Sequence, residues 1–205
     1  FTSTDVTCFG FTDGSVTLTV NGGTPGTPTP AYTFSWDGGA SIGNPPAPTL
    51  AAGNHTVDIR DGNNCTTILP YQVSVGGPSS ALIAGVDLLT MTEPSCNFAT
   101  INYTPNGQAT ATATGGTPGN YTYVWEQDIA GVYTTLTPPQ HLGPNDPTAN
   151  LLDAGNYKVS IQDASGCPAD HTFSLGEPSL LTLFASQADA LCFGESTGSV
   201  GISAG

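Results

Sequence analysis

The chain has 205 residues, of which 9% are charged; Arg60 and Lys158 are its strong bases against 16 Asp and Glu, for a formal net charge of −14. Such a chain cannot neutralise a run of phosphates or hold to an anionic lipid surface, which excludes nucleic-acid binding and electrostatic attachment to membranes. An apolar content of 38% is too high for a disordered acidic tail. No apolar stretch reaches the roughly 18 residues of a membrane span, so direct membrane insertion is not expected.

The 26 glycines and 17 prolines punctuate the chain into short elements and disfavour long helices. In chain order, Val16, Leu18 and Val20 alternate with Thr17 and Thr19, the period-two pattern of a half-buried strand. A Gly-Gly-Thr-Pro-Gly turn follows at 22–26, and Tyr32, Phe34 and Trp36 alternate around Thr33 and Ser35. Val57 and Ile59 predict a penultimate strand, and Val73 and Val75 a final one. The series then begins again. Gly115-Gly116-Thr117-Pro118-Gly119 repeats the turn, and Tyr121 to Trp125 repeats the aromatic strand. Tyr157, Val159 and Ile161 repeat the penultimate strand, and Phe173 and Leu175 the last. Cys192-Phe193-Gly194, followed by Gly198-Ser199-Val200, restates Cys8-Phe9-Gly10 and Gly14-Ser15-Val16.

Order is kept throughout, as expected of an internal repeat. Two repeats are expected at 1–78 and 79–178, with the start of a third at 179–205. The second is longer, through extra residues between Cys96 and Gly115 and a loop from about Ala130 to Pro147. About seven short strands per repeat predict an all-β chain of tandem immunoglobulin-like β-sandwiches. Tyr157, entering its strand after Gly155-Asn156, fits the tyrosine corner of such folds. The first repeat has His55 there, and the hydrogen bond is expected to be weaker or absent. The chain begins and ends inside repeats, so its natural ends, and any export signal, are expected elsewhere.

Five cysteines fall at repeated places, one early and one late in each repeat. An even number per repeat implies an oxidising compartment. The expected pairs lie within repeats, Cys8 with Cys65 and Cys96 with Cys167, leaving Cys192 unpaired. In an immunoglobulin-like topology the first strand starts at the end where the penultimate one finishes, which would bring each pair to one pole. The alternative, free or metal-bound cysteines, lacks any Cys-x-x-Cys or Cys/His cluster.

Taken together, Cys-x-Gly…Gly-Ser-Val, Gly-Gly-Thr-Pro, Tyr-x-Phe/Tyr-x-Trp, Ala-Gly-Asn-Tyr, Asp-x-x-Gly-Cys and Glu-Pro-Ser resemble the SprB-type repeat of giant surface adhesins in gliding Bacteroidetes-type bacteria. The resemblance implies type IX secretion, display on the bacterial outer surface, and movement along the cell during gliding. The chain departs from the pattern at Asp61-Gly-Asn-Asn-Cys65, at Gly76-Gly77-Pro78, and after Cys96, where glycine is missing.

Other motifs have bland readings. Gly194-Glu-Ser196-Thr-Gly198 fits Gly-x-Ser-x-Gly, but it falls on the repeat's opening turn and no histidine follows it within these 205 residues, whereas a serine nucleophile needs a strand-to-helix turn and a His partner. His55, His141 and His171 share no metal-ligand spacing. Asp61 and Asp163 precede the late cysteine and read as Asx turns; calcium would need several convergent oxygens. The sequons at Asn54, Asn64, Asn102 and Asn120 are expected in a Thr-rich chain. Tyr32 to Trp36 and Tyr121 to Trp125 read as core before they read as a sugar-stacking platform.

No catalytic residue, cofactor or metal is therefore assigned, and an enzyme is not expected. The leading expectation is a structural or adhesive array in which repeats carry a binding tip or form a filament. Its partners would be neighbouring repeats, with surface polysaccharide or other cell-surface proteins as candidates. The alternative is a carbohydrate-binding or spacer module of a secreted multidomain enzyme.

Overall fold

The period-two segments form strands in the computed structural model, which describes residues 1–24, 32–39, 42–43, 49–68, 70–97 and 103–204. Pro25 and Gly26 of the first glycine turn and the sequon at Asn102 lie outside the described residues. Every helical or strand element among the described residues is a strand. The first repeat holds β1 (Thr2–Thr4), β2 (Ser15–Thr17), β3 (Thr33–Trp36), β4 (Ile42–Gly43), β5 (Gly53–Arg60) and β6 (Tyr71–Val75). The second holds β7 (Ile83–Val86), β8 (Gly107–Thr114), β9 (Thr122–Ile129), β10 (Val132–Thr135), β11 (Thr148–Leu152), β12 (Gly155–Gln162) and β13 (Pro168–Leu175). Beyond β13, β14 (Leu183–Ala188) and β15 (Ser199–Ala204) form a hairpin.

Sheet order repeats with the sequence. In the first repeat β4-β3-β5-β6 form one sheet and β1-β2 the other, with Leu50 bridged to Gly14 at the side of β2. In the second, β10-β9-β12-β13 form one sheet and β11-β8-β7 the other. The Gly14 bridge to Leu50 thus becomes a full edge strand, β11, which pairs with β8 through Ala149 and Leu152. Both arrangements are the two-sheet order of an immunoglobulin-like sandwich.

The apolar faces named by the alternation close the cores. Val6, Val16, Leu50, Val73 and Val75 are buried together in the first repeat, with Leu18 and Trp36 packed at the margin. In the second repeat Trp125, Leu152, Tyr157, Val159 and Ile161 are fully buried. Trp125 meets Phe173 edge-on at 5.8 Å, and Tyr157 stacks on the same ring at 5.6 Å. Trp36 departs from expectation, being only half-buried where Trp125 is sealed. Beside Trp125, buried Leu136 directly follows β10, and its N–H donates to the Trp125 carbonyl at 2.8 Å; the span expected as a loop from about Ala130 to Pro147 thus contains a strand.

By packing, the chain divides into two compact units. The first comprises 1–84, 113–122 and 160–170, and the second 85–112, 123–159 and 171–205. The glycine turn and the late-cysteine turn of the second repeat therefore belong to the same unit as the whole first repeat.

Candidate functional site

The chemically distinctive groups of this chain are its cysteine turns, and each is built from local backbone demands. In the late turn of the second repeat, the Asp163 carboxylate accepts N–H groups from Ser165 and Cys167, both at 2.9 Å, through one oxygen. Its other oxygen accepts the Thr117 N–H at 2.7 Å, which ties the Gly-Gly-Thr-Pro turn to the cysteine turn. Asp61 does the same one repeat earlier, accepting from Asn63 and Cys65 at 2.9 and 2.8 Å and from Thr24 at 2.9 Å. The Asx turns expected at both aspartates are present.

This clamp explains the second glycine of the motif. Gly116 has φ +70°, and a Cβ there would fall 2.5 Å from the Asp163 carboxylate. Gly23 has φ +68° and the same neighbour in Asp61. Only glycine combines that backbone with that approach. The tyrosine before the aromatic strand pins the turn from the other side, Tyr32 OH donating to the Gly22 carbonyl at 2.7 Å and Tyr121 OH to that of Gly115 at 2.9 Å. Burial pushes the Asp163 pKa up, but N–H groups of Thr117, Cys167, Ser165 and Gly166 outweigh it and hold the carboxyl below its ordinary value. At half-buried Asp61, N–H donors led by Thr24 and Cys65 lower the pKa.

The early turns form a second set. The Thr7 N–H donates to Asp13 at 3.0 Å, the Ser95 N–H to Asn106 at 2.9 Å, and the Leu191 N–H to the Thr197 hydroxyl at 3.1 Å. In each case the acceptor stands just before Gly14, Gly107 or Gly198, and the donor just before Cys8, Cys96 or Cys192. The Cys8 and Cys192 turns also share a Cys-x-Gly bend, with the Phe11 N–H bonded to the Cys8 carbonyl and the Glu195 N–H to that of Cys192.

The disulfide joins one turn of each set, but not within a repeat. Cys8 is bonded to Cys167, 159 residues away, with Cα atoms 5.7 Å apart. Cys65, Cys96 and Cys192 are free and exposed. The expected pairs Cys8–Cys65 and Cys96–Cys167 are therefore corrected, and with them the expectation of one staple inside each repeat. The reason is positional. The first strand does start at the pole where the penultimate strand ends, but Cys8 follows β1 rather than preceding it. By Val6 the chain has reached the opposite end, where its N–H donates to the Gly76 carbonyl just beyond β6. Gly14 and Leu50 exchange backbone bonds there too, while Gly53 opens β5 opposite Val75. Cys65 lies past Arg60, the far end of β5. That strand separates the two sulfurs by roughly 23 Å at about 3.3 Å per residue, against the roughly 4.4–6.8 Å between Cα atoms that a disulfide spans.

His55 lies on β5 with Nε2 2.9 Å from the Ala51 carbonyl and Nδ1 2.7 Å from Asp37. His141 is buried, with Nε2 3.0 Å from the Asp146 carbonyl. His171 lies on β13, half-buried. Ser196 is exposed in the turn before β15. Among the described residues, no group of three His, Cys, Asp or Glu is placed to hold a metal. Trp125 is buried within the second repeat, so it offers no sugar-stacking face.

With these turns in view, the chain can be set beside known proteins. Residues 1–41 match the family model of the SprB repeat. The stretch matched to the SprB repeat carries the Cys8 turn, β2 and β3. Among solved structures, the chain is similar to a C-terminal intimin fragment crystallised with the intimin-binding domain of the translocated intimin receptor. Identity is 16% and the TM-score 0.37, over 74% of this chain and 53% of that one. The chain thus spans about half of that fragment's length. No curated protein matches the chain.

Proposed function

We propose that this chain is a length of structural shaft in an exported cell-surface adhesin, built from tandem β-sandwich repeats at 1–78, 79–178 and from 179 onward. The observation that carries the reading is the Cys8–Cys167 bond, which ties the early turn of one repeat to the late turn of the next. A bond of that kind serves an array rather than an isolated module, and it requires an oxidising compartment. The SprB match over residues 1–41 supports display on the bacterial outer surface, type IX export and a part in gliding. Neighbouring repeats are the first partners of such a segment, with surface polysaccharide or other cell-surface proteins met elsewhere along the array. The shaft itself is non-enzymatic in this reading.

Antibody raised against oxidised 1–205 should label intact, unpermeabilised cells of the producing bacterium, and the label should be lost when the gene is deleted together with attachment to surfaces. Labelling that appears only after permeabilisation would overturn the proposal.

A further inference from the structure

Cys65, Cys96 and Cys192 are exposed free thiols, and each stands in a turn that reproduces one half of the Cys8–Cys167 junction. The Cys65 turn matches the Cys167 turn bond for bond. The Asp61 N–H donates to the Cys65 carbonyl at 3.1 Å and the Asp163 N–H to that of Cys167 at 3.2 Å, and each aspartate carboxylate then clamps the N–H of its own cysteine. Cys192 occupies the Cys-x-Gly bend of Cys8, closed by Thr197 as that of Cys8 is closed by Asp13. Cys96 lies behind the same lock, with Asn106 in the place of Asp13. Its surroundings also correspond. Glu93 accepts the Gly176 N–H as Asp5 accepts the Gly76 N–H. A Cβ on Gly107 would meet Leu152 and Pro94 as one on Gly14 would meet Leu50 and Val6.

We infer that these thiols are open halves of further junctions, in which the early cysteine of every repeat bonds the late cysteine of the following repeat. Cys96 takes the late cysteine of the third repeat, Cys192 that of a fourth, and Cys65 the early cysteine of a repeat preceding it. The array is then a covalent ladder in which each repeat is joined to both neighbours. Each rung forms when two thiols lose two protons and two electrons and their Sγ atoms join. A disulfide oxidant accepts both and leaves as two thiols. The inference rests on the tandem-repeat reading and adds its covalent wiring.

The chain can complete its own third repeat. Gly198 and Val200 correspond to Gly14 and Val16, so Ala204 corresponds to Val20. Residues 21–78 appended after Ala204 therefore supply one additional late cysteine, marked in mass by Thr67→Ser in the appended copy. The lengthened chain is oxidised with glutathione disulfide, alkylated and mapped by non-reducing peptide mass spectrometry. The added cysteine should be bonded to Cys96, beside an intact Cys8–Cys167 bond, with Cys65 and Cys192 alkylated. Cys96→Ser should leave the added cysteine alkylated rather than diverted to Cys192. A bond between the added cysteine and Cys192, its own repeat's early cysteine, would overturn the inference. So would an alkylated added cysteine in a wild-type chain whose Cys8–Cys167 bond has formed. Failure of Cys8–Cys167 itself would overturn the junction on which the inference is built. None of these outcomes touches surface labelling of cells, so the ladder and the surface shaft fail separately.

Discussion

His55 takes the place of Tyr157 one repeat earlier, and both reach the backbone carbonyl four residues upstream. Tyr157 OH donates to the Asp153 carbonyl at 2.8 Å, and His55 Nε2 lies 2.9 Å from that of Ala51. The corner bond expected to weaken is kept, and Nδ1 gains Asp37 at 2.7 Å as a second partner. The first repeat thereby acquires a titratable corner. Burial instead pushes the Tyr157 pKa up to about 12, so the second repeat's corner is indifferent to pH near neutrality.

The hydrogen bond to Asp37, followed by that to the Ala51 carbonyl, raises the His55 pKa; the bond to His55 leads the causes that lower that of Asp37. A raised histidine contributes stability that is full below its unfolded value of about 6.5 and is lost as pH rises through the folded value. The lowered Asp37 contributes above about 3.8 and loses its contribution as pH falls through its own folded value. The denaturation midpoint of the first repeat should therefore rise on going from pH 8 to pH 6. His55→Tyr should flatten the profile over that interval. An unchanged wild-type midpoint between those pH values would refute the pair.

The two tryptophans should separate in the same kind of measurement. Trp125→Ala removes a fully buried side chain and should destabilise the second repeat by about 3–5 kcal/mol. Trp36→Ala removes a half-buried one and should cost at most about 2 kcal/mol. Equal losses in urea unfolding would contradict the difference in packing.

Asp163→Ala should cost about 1–3 kcal/mol, since it leaves the N–H of buried Cys167 and of half-buried Thr117 without their acceptor. It should also lower the yield of the Cys8–Cys167 bond on oxidative refolding, because the N–H of Cys167 is one of those groups. Refolding yield followed by thiol titration reads this directly. An unaltered yield would mean that the turn forms without its clamp.

Proteolysis reports the pairing. Arg60 ends β5 and is exposed, whereas Lys158 lies within β12 and is held by Glu126 at 2.6 Å. Trypsin should cut first after Arg60. After either single cut the fragments should stay joined without reductant, because Cys8 and Cys167 lie on opposite sides of both sites. After both cuts, 61–158 should be released while 1–60 remains joined to 159–205. Release of 1–60 without reductant would contradict the bond.

Much of this architecture was readable from alternation and repetition. Val16, Val57, Val73 and Val75 lie inside, as do Tyr157, Val159 and Ile161, because a strand with one wet face must alternate. The aspartate turns were readable because a carboxylate placed two and four residues before available N–H groups has a local partner. The disulfide was not. It depends on whether a cysteine precedes or follows a short strand, and β1 is only Thr2–Thr4, too brief for periodicity to place its ends. Trp36 was overestimated for a related reason. Alternation names the inward face, but how well that face is sealed depends on what lies across it, which alternation does not report.

The 159-residue separation of Cys8 and Cys167 has a mechanical side. Tension applied at the two ends of the chain passes through one S–S bond and bypasses nearly all of both sandwiches. At about 3.5 Å per extended residue, the bypassed span holds roughly 550 Å of slack. Reduced, the chain can pay out that slack as its sandwiches unravel. Oxidised, only the residues before Cys8 and after Cys167 can extend, and the bonded span transmits a pull without yielding to it.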